Sequence, residues 1–411
     1  MVSQPPNTQD NPRLVTRRRV FYIPGYDPFH PRRYRELYRT ESAEQARISG
    51  YAISQRAAGG KGRCYGWQVE AHIEGHDVRA EIEVLVWSDL VRDSMSTSIP
   101  ATYLQLLRTA WVYIGSGALW RLMQLRKGPV IAALYPVAML LGQLLLAALL
   151  IWGMTWGVGV LVPWWIGLGL GAGAAVLLLR WFRAKDGRFF AYYLMHDYAH
   201  TARHRGAYPP DLQARLAGFG DRIAQALQGD WDEVLVVGHS SGAHLGVSVL
   251  ADLHRQGRVP ADGPQLSFLS LGQVVPMVSF LPDADQLRRD LHDLSAQTQV
   301  PWVDVSAPGD GCAFALCDPA AVTGVAPDAP QGPLILSAAF TQTLSPARWK
   351  ELRWRFFRLH FQYLCAFDQP GAYDYFRITA GPRTLADRFR GRKPSASRLV
   401  KPLSKYRSLG S

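Results

Sequence analysis

From Gly128 to Leu179 the chain has no aspartate, glutamate, lysine or arginine. So long an uncharged run seldom fits inside a globular domain, which makes a buried helical hairpin of a soluble core a poor explanation. Cysteine is scarce too. Cys64, Cys312, Cys317 and Cys365 form no CxxC pair and have no histidine at zinc spacing. That excludes a disulfide framework or a zinc finger and reads as reduced thiols in a cytosolic setting. Acidic residues are the minority, 33 against 45 Lys and Arg, so the chain at +12 prefers anionic partners. The first twenty residues, polar and without an apolar core, are not expected to act as a secretory signal.

Within the uncharged gap, "VIAALYPVAMLLGQLLLAALLIW" is followed, after "GMTWG", by "VGVLVPWWIGLGLGAGAAVLLLRWF". Each half approaches the ~20 residues that cross ~30 Å of hydrocarbon at ~1.5 Å per residue. The expectation is a two-helix transmembrane hairpin within 121–185, with helices at about 130–152 and 157–180; a re-entrant hairpin is the alternative. Trp152, Trp156, Trp164 and Trp165 cluster near the connection like an interfacial belt. Arg121, Arg126 and Lys127 precede the hairpin, and Arg180, Arg183 and Lys185 follow it, while the connection has no basic residue. The positive-inside rule then puts both polar segments on the cytoplasmic side.

Those segments read as one interrupted α/β domain, 17–120 and 186–380, after a flexible N-terminus at 1–16. Val20 to Ile23 is a short β-forming run stopped by Pro24-Gly25, with a charged helical stretch after it. Alternation on both sides of Glu74-Gly75-His76-Asp77 predicts a hairpin leading into a buried strand, Ile82 to Trp87. Leu212, Leu216, Phe219, Ile223 and Leu227 recur at three and four residues, the pattern of an amphipathic helix. Further strands are expected at Val234 to Val237 and in "QLSFLSLG", "VPWVDVS" and "PLILSAA", with a helix in "DADQLRRDLHDLSAQT". Such alternation predicts a mostly parallel sheet with helices on both faces.

Between the buried run Val234–Val237 and the apolar helix from Ala243 lies Gly238-His239-Ser240-Ser241-Gly242, a G-x-S-x-G match. With these flanks, "VLVVGHSSGAH" resembles the nucleophile elbow of the α/β-hydrolase superfamily. The resemblance implies Ser240 as nucleophile, with Gly238 and Gly242 small enough for strand and helix to approach. It also implies the chain order serine, acid, histidine. His244 is too near the elbow, and His254 and His292 fall in helical stretches on solvent faces. His360, after the last strand in apolar surroundings, is the expected base. For the acid, Asp310 lies just past a strand's carboxyl end and is preferred over Asp304 inside the strand, with Asp318 third. The oxyanion would be held by the amides of Ser241 and, from "YIPGYDP", Tyr26.

No metal or organic cofactor is implied. His196, His200 and His204 share a helical face at metal-binding spacing, yet form one cluster where several would be needed, so structural or head-group contact is preferred. The last 31 residues, 381–411, carry nine Lys or Arg and one acid and read as a flexible basic arm on anionic lipid. No nucleic-acid module accompanies them. The resulting expectation is a membrane-anchored serine hydrolase of the esterase or lipase kind, cleaving an acyl ester of a membrane lipid. An acyltransferase with the same triad, a non-catalytic scaffold and a histidine-metal oxidoreductase are the alternatives. The oligomeric state is open.

Overall fold

The computed structural model describes residues 14–57, 65–95 and 98–410. Cys64 and residues 1–13 lie outside them. Eight strands build one sheet: β1 (Arg17–Ile23), β2 (Ala52–Ala57), β3 (Tyr65–Ile73), β4 (His76–Val84), β5 (Glu233–His239), β6 (Gln265–Leu271), β7 (Trp302–Ser306) and β8 (Leu334–Ser337). Their spatial order is β2-β3-β4-β1-β5-β6-β7-β8. From β4 to β8 every pairing is parallel; β2 and β3 add an antiparallel edge. The expected α/β class with a mostly parallel sheet is therefore present. In the β3–β4 hairpin, Glu74 and Gly75 both take positive φ, the conformation a two-residue turn needs to match strand twist. The strand expected to run to Trp87 stops at Val84.

Both sheet faces are covered. One side carries the helices Pro210–Leu227, Gly242–Arg255 and Asp285–Ser295, and all five apolar positions read from the first of these are buried. On the other side lie the helix Arg32–Ser49 and the segment from Phe340 to Phe389. A buried ion pair links β1 to β5, with Arg18 Nε 2.7 Å from Glu233 and neither side chain exposed. Arg18 also donates to the carbonyls of Gly381 and Arg383, and Glu233 accepts from Ser267 and the Leu385 amide.

The basic terminus differs from expectation. Residues 381–410 are no free arm. Leu399 donates to the Leu316 carbonyl, Leu403 to that of Val322, and buried Arg288 donates to the carbonyl of Ser408. A backbone satisfied by the domain has no reason to detach. Leu14 and Val15 pair with Arg383 and Pro382, and Thr16 donates to Asp232, so this end of the expected flexible N-terminus is tied down as well.

The uncharged run forms two antiparallel helices, Lys127–Gly159 and Trp164–Ala184. The first continues through "GMTWG", because that stretch holds no proline; Val160–Pro163 makes the turn instead. Both are long and apolar enough to cross a membrane. Only 22% and 17% of their most apolar windows are buried, so they are not core helices. Gly167 and Gly171 let the pair close: a Cβ on either would come within 3 Å of the partner helix backbone. A helix unforeseen in the sequence, Ile99–Gly115, precedes them and exposes Leu104, Leu107, Trp111 and Ile114 along one face.

Candidate active site

Parallel register aligns the carboxyl ends of the central strands. Ile23 stands opposite Gly238, His239 opposite Leu271, and Leu271 opposite Val305. The segments that follow these ends, Pro24–Tyr26, Ser240–Ser241, Gly272–Gln273 and Ala307–Cys312, therefore converge. In a parallel sheet this is where functional groups gather.

Ser240 occupies the turn from β5 into the helix Gly242–Arg255 at φ +57°, a left-handed conformation that costs an ordinary residue roughly 1–2 kcal/mol. Such strain persists only where its surroundings over-determine it. Here the glycines do so. A Cβ on Gly242 would sit 2.0 Å from the Ile23 carbonyl oxygen, and one on Gly238 would meet the Gly242 oxygen at 2.6 Å. Across the turn, a Cβ on Gly25 would lie 3.4 Å from Ser240 Oγ, so the Pro24–Tyr26 loop backs directly onto the hydroxyl. Tyr26 follows Gly25 in that loop and Ser241 follows Ser240, and neither amide donates to an acceptor among the described residues.

The other two predicted groups meet. His360 Nδ1 is 2.7 Å from Asp310 Oδ2, both side chains buried. Asp310 also accepts from the Cys312 amide at 2.9 Å and the Tyr363 hydroxyl at 3.0 Å. Burial alone would raise this carboxyl, but the facing imidazole and the hydrogen bonds outweigh it and hold the pKa below the usual carboxylate range. An ionised Asp310 only accepts, so His360 Nδ1 is the donor in this bond. His360 and Ser240 line the same cavities.

The other candidates have structural partners. Asp304, inside β7, accepts from Ser270 at 2.6 Å, and burial pushes its carboxyl up to about 7. Asp318 caps the helix Pro319–Thr323. His244 pairs with the Tyr208 hydroxyl at 2.9 Å. His292, expected on a solvent face, is half-buried with Nδ1 2.9 Å from the Val325 carbonyl oxygen. His196 pairs with Gln105, His200 sits beside the Tyr26 and Trp87 rings, and among the described residues the three histidines assemble no metal-ligand cluster. One set of potential ligands does exist: Asp310, Cys312 and His360 bring donor atoms within 4.8 Å of one another. Two of these, Asp310 and His360, are hydrogen-bonded to each other, and burial holds the Cys312 thiol well above its usual range.

Three supporting residues escape sequence reasoning. His239 Nε2 is 3.0 Å from the His360 carbonyl oxygen; since a carbonyl only accepts, His239 donates. Burial and the nearby His360 depress its pKa to about 3, which keeps it neutral. Tyr363 receives the Ala307 amide and donates to Asp310. Gly272, at φ +51°, leaves no room for a side chain: a Cβ would lie 2.5 Å from Tyr363 Cε2 and 3.2 Å from His360 Cε1. The x of G-x-S-x-G and a glycine just past a strand were the available signals.

Ser240 stands between two cavities. One, of about 890 Å³, is largely apolar, with Pro129, Ile131 and Ala132 of the first apolar helix and Phe190, Trp354 and Phe357 on its wall, and Arg188, Arg355 and Arg358 also line it. The other, of about 780 Å³, carries Arg33, Arg39, Arg348 and Arg358 on its wall. No protein-family model, curated protein or solved structure matches the chain.

Proposed function

We propose that this chain is a membrane-anchored serine hydrolase of the α/β-hydrolase kind that cleaves acyl esters of a lipid. The observation that carries the reading is Ser240, strained at φ +57° over Gly25, sharing its cavity with a histidine whose Nδ1 lies 2.7 Å from a buried carboxylate. In the reaction His360 Nε2 takes the Ser240 proton as Oγ attacks the acyl carbonyl. Asp310 keeps the imidazole in the tautomer that can accept it and stabilises the imidazolium. The Tyr26 and Ser241 amides hold the tetrahedral oxyanion, each worth roughly 3–4 kcal/mol in comparable sites. Collapse returns the proton through His360 to the leaving alcohol and leaves an acyl-enzyme, which water then hydrolyses by the same path.

The lipid assignment rests on the surroundings of the site. The wall of the larger cavity belongs partly to a helix able to cross a bilayer, so an acyl chain could pass from hydrocarbon to Ser240 without meeting water. The exposed face of Ile99–Gly115 and exposed Trp354 and Phe356 extend the apolar surface from which such a substrate would come. The basic flanks of the two apolar helices favour a cytoplasmic placement of both polar segments.

The test is a fluorophosphonate probe applied to detergent-solubilised protein, comparing the native chain with Ser240→Ala. Labelling that vanishes in the variant supports an activated serine. A well-folded native chain that stays unlabelled in detergent and in lipid nanodiscs refutes the reading.

A further inference from the structure

Of the acidic groups that line the site, Asp27, Glu36 and Glu41 have polar partners, and one other has neither a partner among the described residues nor a part in the mechanism. Asp197, on the helix Ala191–Arg203, lines both large cavities and a smaller one beside Ser241, so it stands where they meet. Its carboxyl has no hydrogen-bond or ion-pair partner among the described residues. The groups that feel its charge are Tyr26, Tyr113, Tyr193, Tyr198, Cys312 and His360, of which the phenols and the thiol are neutral. The phenols of Tyr26, Tyr113 and Tyr193 are bonded elsewhere, to Ser94, the Met277 carbonyl and the Tyr26 carbonyl. An unpaired carboxyl in this half-buried position is disfavoured in its ionised form. Burial accordingly raises it to about 7, with His360 pulling the other way.

We propose that Asp197 is a specificity-determining residue that binds a free hydroxyl on the substrate, a few bonds from the scissile ester, so that a partially acylated polyol is preferred over a simple alkyl ester. The inference rests on the serine-hydrolase reading of the same cavity. A hydroxyl suits the site because it can donate to the carboxylate or accept from the carboxylic acid. A cationic head group is the competing ligand: the adjoining cavity carries Arg33, Arg39, Arg348 and Arg358 but also Asp27, Glu36 and Glu41, so the amine arm of the experiment decides between the two. Tyr198, whose hydroxyl has no partner among the described residues, lines the apolar cavity next to Asp197 and offers the same hydroxyl a second contact.

The experiment measures how non-hydrolysable competitors slow Ser240 labelling by an alkyl fluorophosphonate in nanodiscs. The competitors are a 1-O-alkylglycerol, the chain-matched alkyl methyl ether and the chain-matched alkylamine. For the native chain, the glycerol ether is expected to protect at a tenfold or lower concentration than the methyl ether, a difference of about 1.4 kcal/mol. Asp197→Leu abolishes that advantage and labels faster with the apolar probe, because an unpaired carboxyl leaves an apolar cavity. Asp197→Asn, which still donates and accepts, keeps part of it. Equal protection by the two ethers, an advantage that survives Asp197→Leu, or slower labelling of that variant with every competitor profile unchanged would overturn the assignment. Stronger protection by the amine would also overturn it, in favour of a cation. Complete absence of Ser240 labelling in the native chain is a different failure, that of the hydrolase reading itself.

Discussion

Asp310→Asn tests the site most severely, because it changes charge and hydrogen-bond polarity without changing shape. The native carboxylate accepts three bonds, from His360 Nδ1, the Cys312 amide and the Tyr363 hydroxyl. An asparagine can keep the Cys312 amide on its carbonyl oxygen. Its NH2 group must then face His360, which can receive that donor only by surrendering the proton on Nδ1. The proton moves to Nε2, the atom that should accept from Ser240. A triad held in the wrong tautomer loses about ten-thousandfold in kcat, equivalent to roughly 5.5 kcal/mol of barrier at about 1.36 kcal/mol per factor of ten. The assay is the second-order rate of fluorophosphonate labelling, with circular dichroism to verify the fold. Asp304→Asn is the control: its Ser270 bond lies within the strands, and its labelling rate is expected to stay within threefold of native. Labelling of Asp310→Asn within tenfold of native would refute the assignment of Asp310, and a large loss in the control would transfer the role to Asp304.

Three further outcomes follow from the same geometry. His239→Ala removes the donor that fixes the His360 backbone, and a misplacement of about 1 Å in such a site costs on the order of a hundredfold; kcat should fall by that order with KM little changed, and His239→Gln should recover part of it. Glu233→Gln leaves Arg18 buried beside a neutral partner, so urea unfolding should show a loss of about 3–5 kcal/mol while Ser240 still labels in the folded fraction. Asp304 titrates upward on folding, to about 7 from an ordinary value near 3.9. The folded state therefore binds more protons, and this group's contribution to stability is full below about pH 4 and lost as pH rises toward 7. Asp304→Asn should consequently flatten the decline in melting temperature between pH 5 and pH 8, and an unchanged decline would show that other groups cause it.

The features legible from the sequence alone were those written in local order. Absence of charge over 128–179, apolar spacing at Leu212 to Leu227, and the small residues around Ser240 each follow from a few neighbouring positions, and each corresponds to an element found. Chain order left Asp304, Asp310 and Asp318 as acids, and a place just past a strand's end favoured Asp310; its carboxylate does meet His360, fifty residues away, because a parallel sheet delivers every strand's carboxyl end to one edge. What tertiary structure alone decided was the set of partners. Composition read residues 381–411 as a mobile cationic arm, yet carbonyls of Leu316 and Val322 and the side chain of Arg288 hold that chain to the domain, a complementarity with no local signature. Gly272 and Asp197 belong to no motif, and His239, though inside the G-x-S-x-G match, occupies a position that the motif leaves open. His239 and Gly272 matter because register places strand ends side by side, and Asp197 because its helix brings an unpaired carboxyl to the junction of two cavities.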